Sequence, residues 1–136
     1  MYDRPGAYAV IEDDAGLIAV IETGRGWFLP GGGMDAGETA VEALQREMLE
    51  ETGYEVLVIA EIGARIEVVY AADEDTHYRI RSHFYQAHLA AKIADGAEPD
   101  HRLVWLARDD ALDRLTRPSQ AWAVERVGQL RPAVQR

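Results

Sequence analysis

The stretch Leu29-Pro30-Gly31-Gly32-Gly33-Met34-Asp35-Ala36-Gly37-Glu38-Thr39-Ala40-Val41-Glu42-Ala43-Leu44-Gln45-Arg46-Glu47-Met48-Leu49-Glu50-Glu51-Thr52-Gly53-Tyr54 joins a glycine-rich run directly to a helix with an acidic end. The glycines at 31, 32, 33 and 37 allow unusual backbone dihedrals and read as a loop, not as regular structure. Thr39 with Glu42 three residues on is a capping-box signature, and Gly53 is a natural helix stop, so a helix is predicted over 39–52. Val41, Leu44 and Met48 fall on one stripe of that helix, its expected core face. Glu47, Glu50 and Glu51 stand at i, i+3 and i+4 and share the neighbouring face. Ala40 and Ala43 lie on that face nearer the N-terminus, small enough to leave space above it.

Helix stability alone does not select this arrangement. Like charges at i, i+4 cost about 0.2–0.5 kcal/mol a pair. Carboxylates in the last turns also oppose the helix dipole, at about 0.3–1 kcal/mol each. Arg46 can pair with Glu50, but one arginine does not offset three glutamates. A solvated acidic face is the ordinary explanation of a Glu-rich helix. The adjoining glycine run favours a divalent ion instead, because carboxylates suit hard cations and glycine N–H groups can approach a phosphate or orient a metal site.

Outside this segment the chain reads as strands, helix, strands, helices. Tyr8–Glu12 and Leu17–Glu22 flank Asp13-Asp14-Ala15-Gly16 as a hairpin, and Trp27-Phe28-Leu29 is a short apolar run. Strands are predicted over Leu57–Tyr70, broken near Gly63, and over His77–Leu89, with Leu103–Leu106 as a further strand. Asp109–Leu115 reads as a short helix, and Pro118 suits the first turn of a last helix reaching about Leu130. The expected fold class is an α+β sandwich around a mixed β-sheet, in one domain spanning 1–136.

Twenty-four Asp and Glu against fourteen Lys and Arg give a net charge of −10, which argues against nucleic acid and anionic membrane as partners. A field of that sign also repels a nucleotide polyphosphate unless a bound cation reverses it locally. The absence of cysteine excludes disulfides, thiol catalysis and cysteine-held zinc. No basic region followed by an apolar run opens the chain, and no stretch approaches the ~20 apolar residues of a membrane span, so a cytoplasmic location is expected.

The spacing Gly32, five residues, Glu38, seven residues, Arg46-Glu47-Met48, one residue, Glu50-Glu51, one residue, Gly53 resembles the Nudix box. Seven positions agree by identity and Met48 supplies an aliphatic one; at ordinary residue usage such a match at one place arises by chance on the order of once in 10⁸. Tyr54 departs from the aliphatic residue usual at the final position, which bears on packing after the helix. The box covers 23 residues, and the order of strands and helices resembles the Nudix α/β/α sandwich over nearly the whole chain.

The resemblance implies that Glu47, Glu50 and Glu51 hold magnesium, with manganese as a substitute. It implies that Glu38 supports the site, that Arg46 orients it by ion pairing, and that Gly32 shapes the loop beside the metal. A further acidic residue from a loop after the box is also implied, as ligand or general base. Ala97-Glu98-Pro99-Asp100-His101 lies in that neighbourhood, with Glu98 the first choice and Asp100 the second. The implied activity is hydrolysis of a phosphoanhydride in a nucleoside diphosphate derivative: a nucleoside triphosphate, a dinucleoside polyphosphate or a nucleotide sugar. Glu47, Glu51 or Glu98 would take the proton of the attacking water. The alternative is an inactive Nudix-fold nucleotide-binding or regulatory module. The partner implied is a small nucleotide, and homo-oligomerisation is left open.

Other residues carry less. The histidines at 77, 83, 88 and 101 suggest strand faces and a loop rather than a zinc site. Trp27, Trp105 and Trp122 read as packing residues. Arg4, Arg25, Arg65 and Arg79 could reach substrate phosphates, but their spacing singles none out. Tyr70, 16 residues after the box, stands about where some family members that hydrolyse dinucleoside polyphosphates carry a tyrosine, and it equally suits a plain strand end.

Overall fold

The computed structural model describes residues 1–130. Its elements run β1 (Tyr2–Ile11), β2 (Ile18–Thr23), β3 (Gly26–Phe28), β4 (Gly31–Gly33), α1 (Ala40–Thr52), β5 (Tyr54–Ala71), β6 (Thr76–Lys92), β7 (Arg102–Leu106), α2 (Arg108–Arg114) and α3 (Pro118–Leu130). One sheet has the order β4-β1-β6-β5 and a second the order β3-β2-β7. The β1–β6 pair is parallel and the other pairs antiparallel, so the larger sheet is mixed, as expected.

Alternation along the strands builds two cores. Ala7, Ala9 and Ile11 of β1, with Tyr85 and Ala87 of β6, pack against Ala43, Leu44 and Met48 of α1. Val10 and Phe84 point the other way and meet Ala123, Val124 and Val127 of α3 and Ala111 of α2. Helices therefore cover both faces. Truncating Leu44 or Met48, both fully buried, to Ala removes contacts worth about 2–5 kcal/mol.

Three local expectations are corrected. The segments either side of Asp13–Gly16 form no extended hairpin: one bridge, Glu12 to Ile18, joins them before β1 and β2 enter different sheets. Ile18, Val20 and Ile21 are buried, and β2 satisfies its backbone against β3 and β7. The glycine run is partly regular: Gly31–Gly33 form β4, antiparallel to Gly6–Tyr8. At Gly31, φ is 137° and a Cβ would overlap the Ala7 carbonyl, so only glycine permits this pairing. Ala43 is not clearance above the acidic face but a fully buried core residue, because the sheet approaches α1 closely there.

The helix signals are local and hold. Thr39 Oγ1 accepts from the Glu42 N–H at 3.1 Å and the Thr39 N–H donates to Glu42 Oε1 at 2.9 Å. Gly53 closes the helix with φ 77°, its N–H donating to the Leu49 carbonyl. The break expected near Gly63 is a shift in the β5–β6 register between Glu61 and Gly63, within a continuous strand. Among the described residues no helix is long and apolar enough to cross a membrane.

Candidate metal and catalytic centre

The last two turns of α1 carry Glu47, Glu50 and Glu51 past the edge of the core, and β4 runs beside them. Burial grades across the face: the side chain of Glu51 is 8% exposed, that of Glu47 20% and that of Glu50 45%. Glu51 Oε1 accepts the Gly31 N–H at 3.1 Å. Gly32 leaves the room that Glu47 occupies, since a Cβ there would overlap the Glu47 carboxylate. The glycines thus serve the site twice, once through an N–H and once through a missing side chain.

Arg46 ties the cluster together. Its Nε and Nη2 reach the two oxygens of Glu38 at 2.7 and 2.9 Å, and Nη2 also donates to the Gly33 carbonyl at 2.8 Å. Nη1 donates to Glu47 at 2.9 Å and to Glu50 at 3.2 Å. One guanidinium fork therefore fixes the loop, the carboxylate below it and two of the three helix glutamates. The bond from Arg46, helped by the Asp35 N–H, holds the Glu38 carboxyl down at about 2, and the same bond pushes the Arg46 pKa upward.

The segment after β6 returns to the end of α1. The Ala97 N–H donates to the Glu50 carbonyl at 2.7 Å, and His101 Nδ1 lies 2.9 Å from Glu51 Oε2. Glu98 is exposed, yet near enough for its charge to act on Glu47. Ligand atoms of Glu98, Asp100 and His101 lie within 4.8 Å of one another. The structure thus brings together all eight residues singled out in the sequence: Glu47, Glu50, Glu51, Arg46, Glu38, Gly32, Glu98 and Asp100. It adds His101, which sequence reasoning placed in a loop. Its only sequence signal is adjacency to the acidic loop.

Repulsion and burial leave their mark. Burial pushes the Glu51 carboxyl up to about 7, against the opposing Gly31 N–H and His101 and with the added repulsion of Glu47. Burial also raises Glu47, with Glu50 and Glu98 adding to it and Arg46 opposing. The donor set fits a divalent cation: half-buried carboxylates, hard oxygen ligands, and more negative charge than Arg46 can neutralise.

An open cavity of about 930 Å³ lies between β5, β6 and the start of α3; it shares no lining residue with the acidic cluster, and Tyr8, near both Arg117 of the lining and Glu47 and Glu51, links the two. Arg4, Arg25, Arg65 and Arg117 line the cavity, and none has a carboxylate within ion-pair distance among the described residues. Of the described arginines outside it, Arg46, Arg79, Arg102 and Arg108 each pair with one, whereas Arg81, Arg114 and Arg126 do not; Glu67, Asp73 and Glu74 also line the cavity. Three of the cavity arginines stack on rings instead: Arg4 on Tyr78 and Arg65 on Trp122 at 3.8 Å, Arg117 on Phe28 at 5.4 Å. Three of the four arginines named in the sequence are thus in the lining, whereas Arg79 pairs with Asp3. Trp105 and Trp27 pack on the cores, Trp122 both packs and lines the cavity, and Tyr70 donates to Asp75 at the cavity rim.

A fold of this topology, with a helix carrying that acidic face over a glycine strand, defines a class. The NUDIX domain pattern matches residues 3–127, and the chain belongs to the Nudix hydrolase family. A Bacillus subtilis (strain 168) protein provisionally named 8-oxo-dGTP diphosphatase is 42% identical over 65 residues, 46% of this chain and 43% of that protein. The 8-oxo-(d)GTP phosphatase of Mycolicibacterium smegmatis (strain ATCC 700084 / mc(2)155) is 32% identical over 111 residues, 80% of this chain and 33% of that protein. The chain thus spans less than half the length of these two relatives. The solved structure of a MutT NUDIX hydrolase from Burkholderia pseudomallei superposes with a TM-score of 0.70 at 29% identity, covering 93% of this chain and 99% of that one.

Proposed function

We propose that this chain is a divalent-cation-dependent pyrophosphohydrolase acting on nucleoside triphosphates, with oxidised purine nucleotides such as 8-oxo-dGTP the first to test. The observation that carries the reading is a half-buried acidic cluster linked through Tyr8 to a cavity whose four arginines have no carboxylate partner among the described residues. In a chain of net charge −10, arginines without acidic partners around one cavity are placed for an anionic ligand. The names of the relatives supply the choice of nucleotide.

Magnesium, with manganese as its substitute, would be held by Glu47, Glu50 and Glu51, with Glu98 or Asp100 completing the set; it would neutralise phosphate charge and lower the pKa of water. The chain's own groups do the rest. Arg46 keeps Glu47 and Glu50 in place, and the Gly31 N–H and His101 hold the two oxygens of Glu51. The cavity arginines bind and orient the polyphosphate. A water oxygen bonds to one phosphorus while the bridging P–O bond breaks and its electron pair leaves with the released phosphate. Glu98, exposed on its loop, is the reading's candidate to take the water proton, with Glu47 and Glu51 as the other carboxylates within the cluster.

The test is a substrate screen of the purified chain with 8-oxo-dGTP, dGTP, dinucleoside polyphosphates and nucleotide sugars, first with magnesium and then with manganese, with a chelator control. Release of a nucleoside monophosphate and pyrophosphate from the triphosphates, abolished by chelation, is the expected result. Binding of these nucleotides without turnover would instead make the chain a nucleotide-binding module.

A further inference from the structure

Tyr8 is near both Arg117, which lines the cavity, and Glu47 and Glu51 of the acidic cluster. It lies on β1 opposite Gly31 of β4, with its half-buried ring tilted 37° against Phe84 at 6.1 Å between centroids. The ring passes over Gly6, where a Cβ would come within 2.9 Å of Tyr8 Cε2 and 3.2 Å of its hydroxyl oxygen. A side chain at position 6 would displace the phenol. The hydroxyl is hydrogen-bonded with Arg117 and feels the charges of Glu47 and Glu51. Burial raises the phenol pKa despite Arg117, so at neutral pH the group is a neutral hydrogen-bond donor.

The alternatives for contacting a phosphate at this junction are few. Arg46 is committed to Glu38, Glu47, Glu50 and the Gly33 carbonyl. Arg117 has no carboxylate partner among the described residues and rests against Phe28. A hydroxyl has one donor and two acceptor lone pairs, so Tyr8 can accept from Arg117 while its own O–H points toward a third group.

Resting on the function proposed above, we propose that Tyr8, braced by Arg117, is a positioning residue that grips the polyphosphate where it crosses from the cavity to the acidic cluster and so sets which phosphorus is attacked. In one register the water oxygen bonds to the α- or β-phosphorus, the α–β bridge breaks, and the products are nucleoside monophosphate and pyrophosphate. A slip of one phosphate moves the attack from the α- to the β-phosphorus or from the β- to the γ-phosphorus; either way the β–γ bridge breaks, and the products are nucleoside diphosphate and phosphate. A hydrogen bond from Tyr8 to the passing phosphate disfavours the slip.

The experiment compares wild type, Tyr8→Phe, Arg117→Gln and the double variant with 8-oxo-dGTP and dGTP in ¹⁸O-water, reading product ratio and label position. Loss of one hydrogen bond to a charged group corresponds to roughly a 10- to 100-fold fall in kcat for Tyr8→Phe. With it, part of the product and label should move to the neighbouring phosphorus, and the double variant should add little beyond either single one. A group that only packs would shift Tm without moving the label. Unchanged kcat and label position in Tyr8→Phe, with wild type active, overturn the role of Tyr8 and leave the proposed function standing. A wild type that hydrolyses no nucleotide overturns the proposed function itself. The grip is then read by calorimetry with inorganic tripolyphosphate and magnesium, where both single variants should bind at least tenfold more weakly; equal affinity in all of them overturns the grip.

Discussion

Glu51→Gln separates the cost of a buried carboxylate from its use. The Glu51 side chain is 8% exposed, with Gly31 N–H and His101 Nδ1 as its partners. Burial pushes its pKa from the ordinary 4.5 up to about 7, which at about 1.36 kcal/mol per tenfold change disfavours the ionised form by roughly 3 kcal/mol. Because the folded pKa is the higher one, this group favours folding fully below its unfolded pKa, and that contribution is lost as pH rises from about 4.5 through 7. Glutamine keeps the shape, accepts from Gly31 and carries no charge. In EDTA at pH 8 the variant should therefore be more stable than wild type by up to about 3 kcal/mol, or roughly 10 °C in Tm for a chain of this size. At pH 4 the two should nearly coincide. Calorimetric melting in EDTA at both pH values is the assay, followed by millimolar magnesium at pH 8, which should raise Tm in wild type far more than in the variant. The same variant should lose nearly all turnover with its circular dichroism unchanged. A Glu51→Gln protein less stable than wild type in EDTA at pH 8 would refute the reasoning, because the carboxylate would then be a paired, stabilising charge.

Other substitutions probe the remaining parts. Arg46→Lys keeps the charge but loses the fork to Glu38, Glu47 and Glu50; it should lower stability by about 1–3 kcal/mol in urea titration and raise the magnesium needed for half-maximal activity. Gly32→Ala places a methyl on the Glu47 carboxylate, so it should cost about 1–3 kcal/mol by denaturant melting and blunt the magnesium-induced rise in Tm. Glu98→Gln should cut kcat by roughly 10²–10⁴-fold with little change in magnesium affinity if Glu98 is the base. A magnesium titration of Glu98→Gln beside Asp100→Asn reads this; wild-type behaviour in both variants would pass the proton to a helix glutamate.

The parts of the fold legible in the sequence are those set by neighbours in the chain. Thr39, Glu42 and Gly53 mark α1 because capping is a local hydrogen-bond problem, and Pro118 marks α3 for the same reason. The acidic face followed from helical geometry alone. Pairing over long separations was not legible: β1 runs parallel to β6, with Tyr8 opposite Phe84, and nothing at either residue announces the other. The hairpin signal at Asp13–Gly16 was a real turn, but turn chemistry does not say whether the flanking strands stay together. Glycine hid β4, because a strand without side chains shows no alternation. His101 and Tyr8 escaped because each gains meaning only when the fold brings it to Glu51 or Arg117.

The most direct test of a cation-dependent acidic site on α1 is the rate of nucleoside monophosphate release from 8-oxo-dGTP against magnesium concentration, for wild type beside Glu50→Ala. Glu50 is the most exposed of the three helix glutamates, so its loss disturbs the core least. The account predicts no turnover in EDTA, saturation with magnesium in wild type, and a midpoint displaced to higher magnesium in Glu50→Ala. Turnover that persists in EDTA, or the same magnesium midpoint in both proteins, would contradict it.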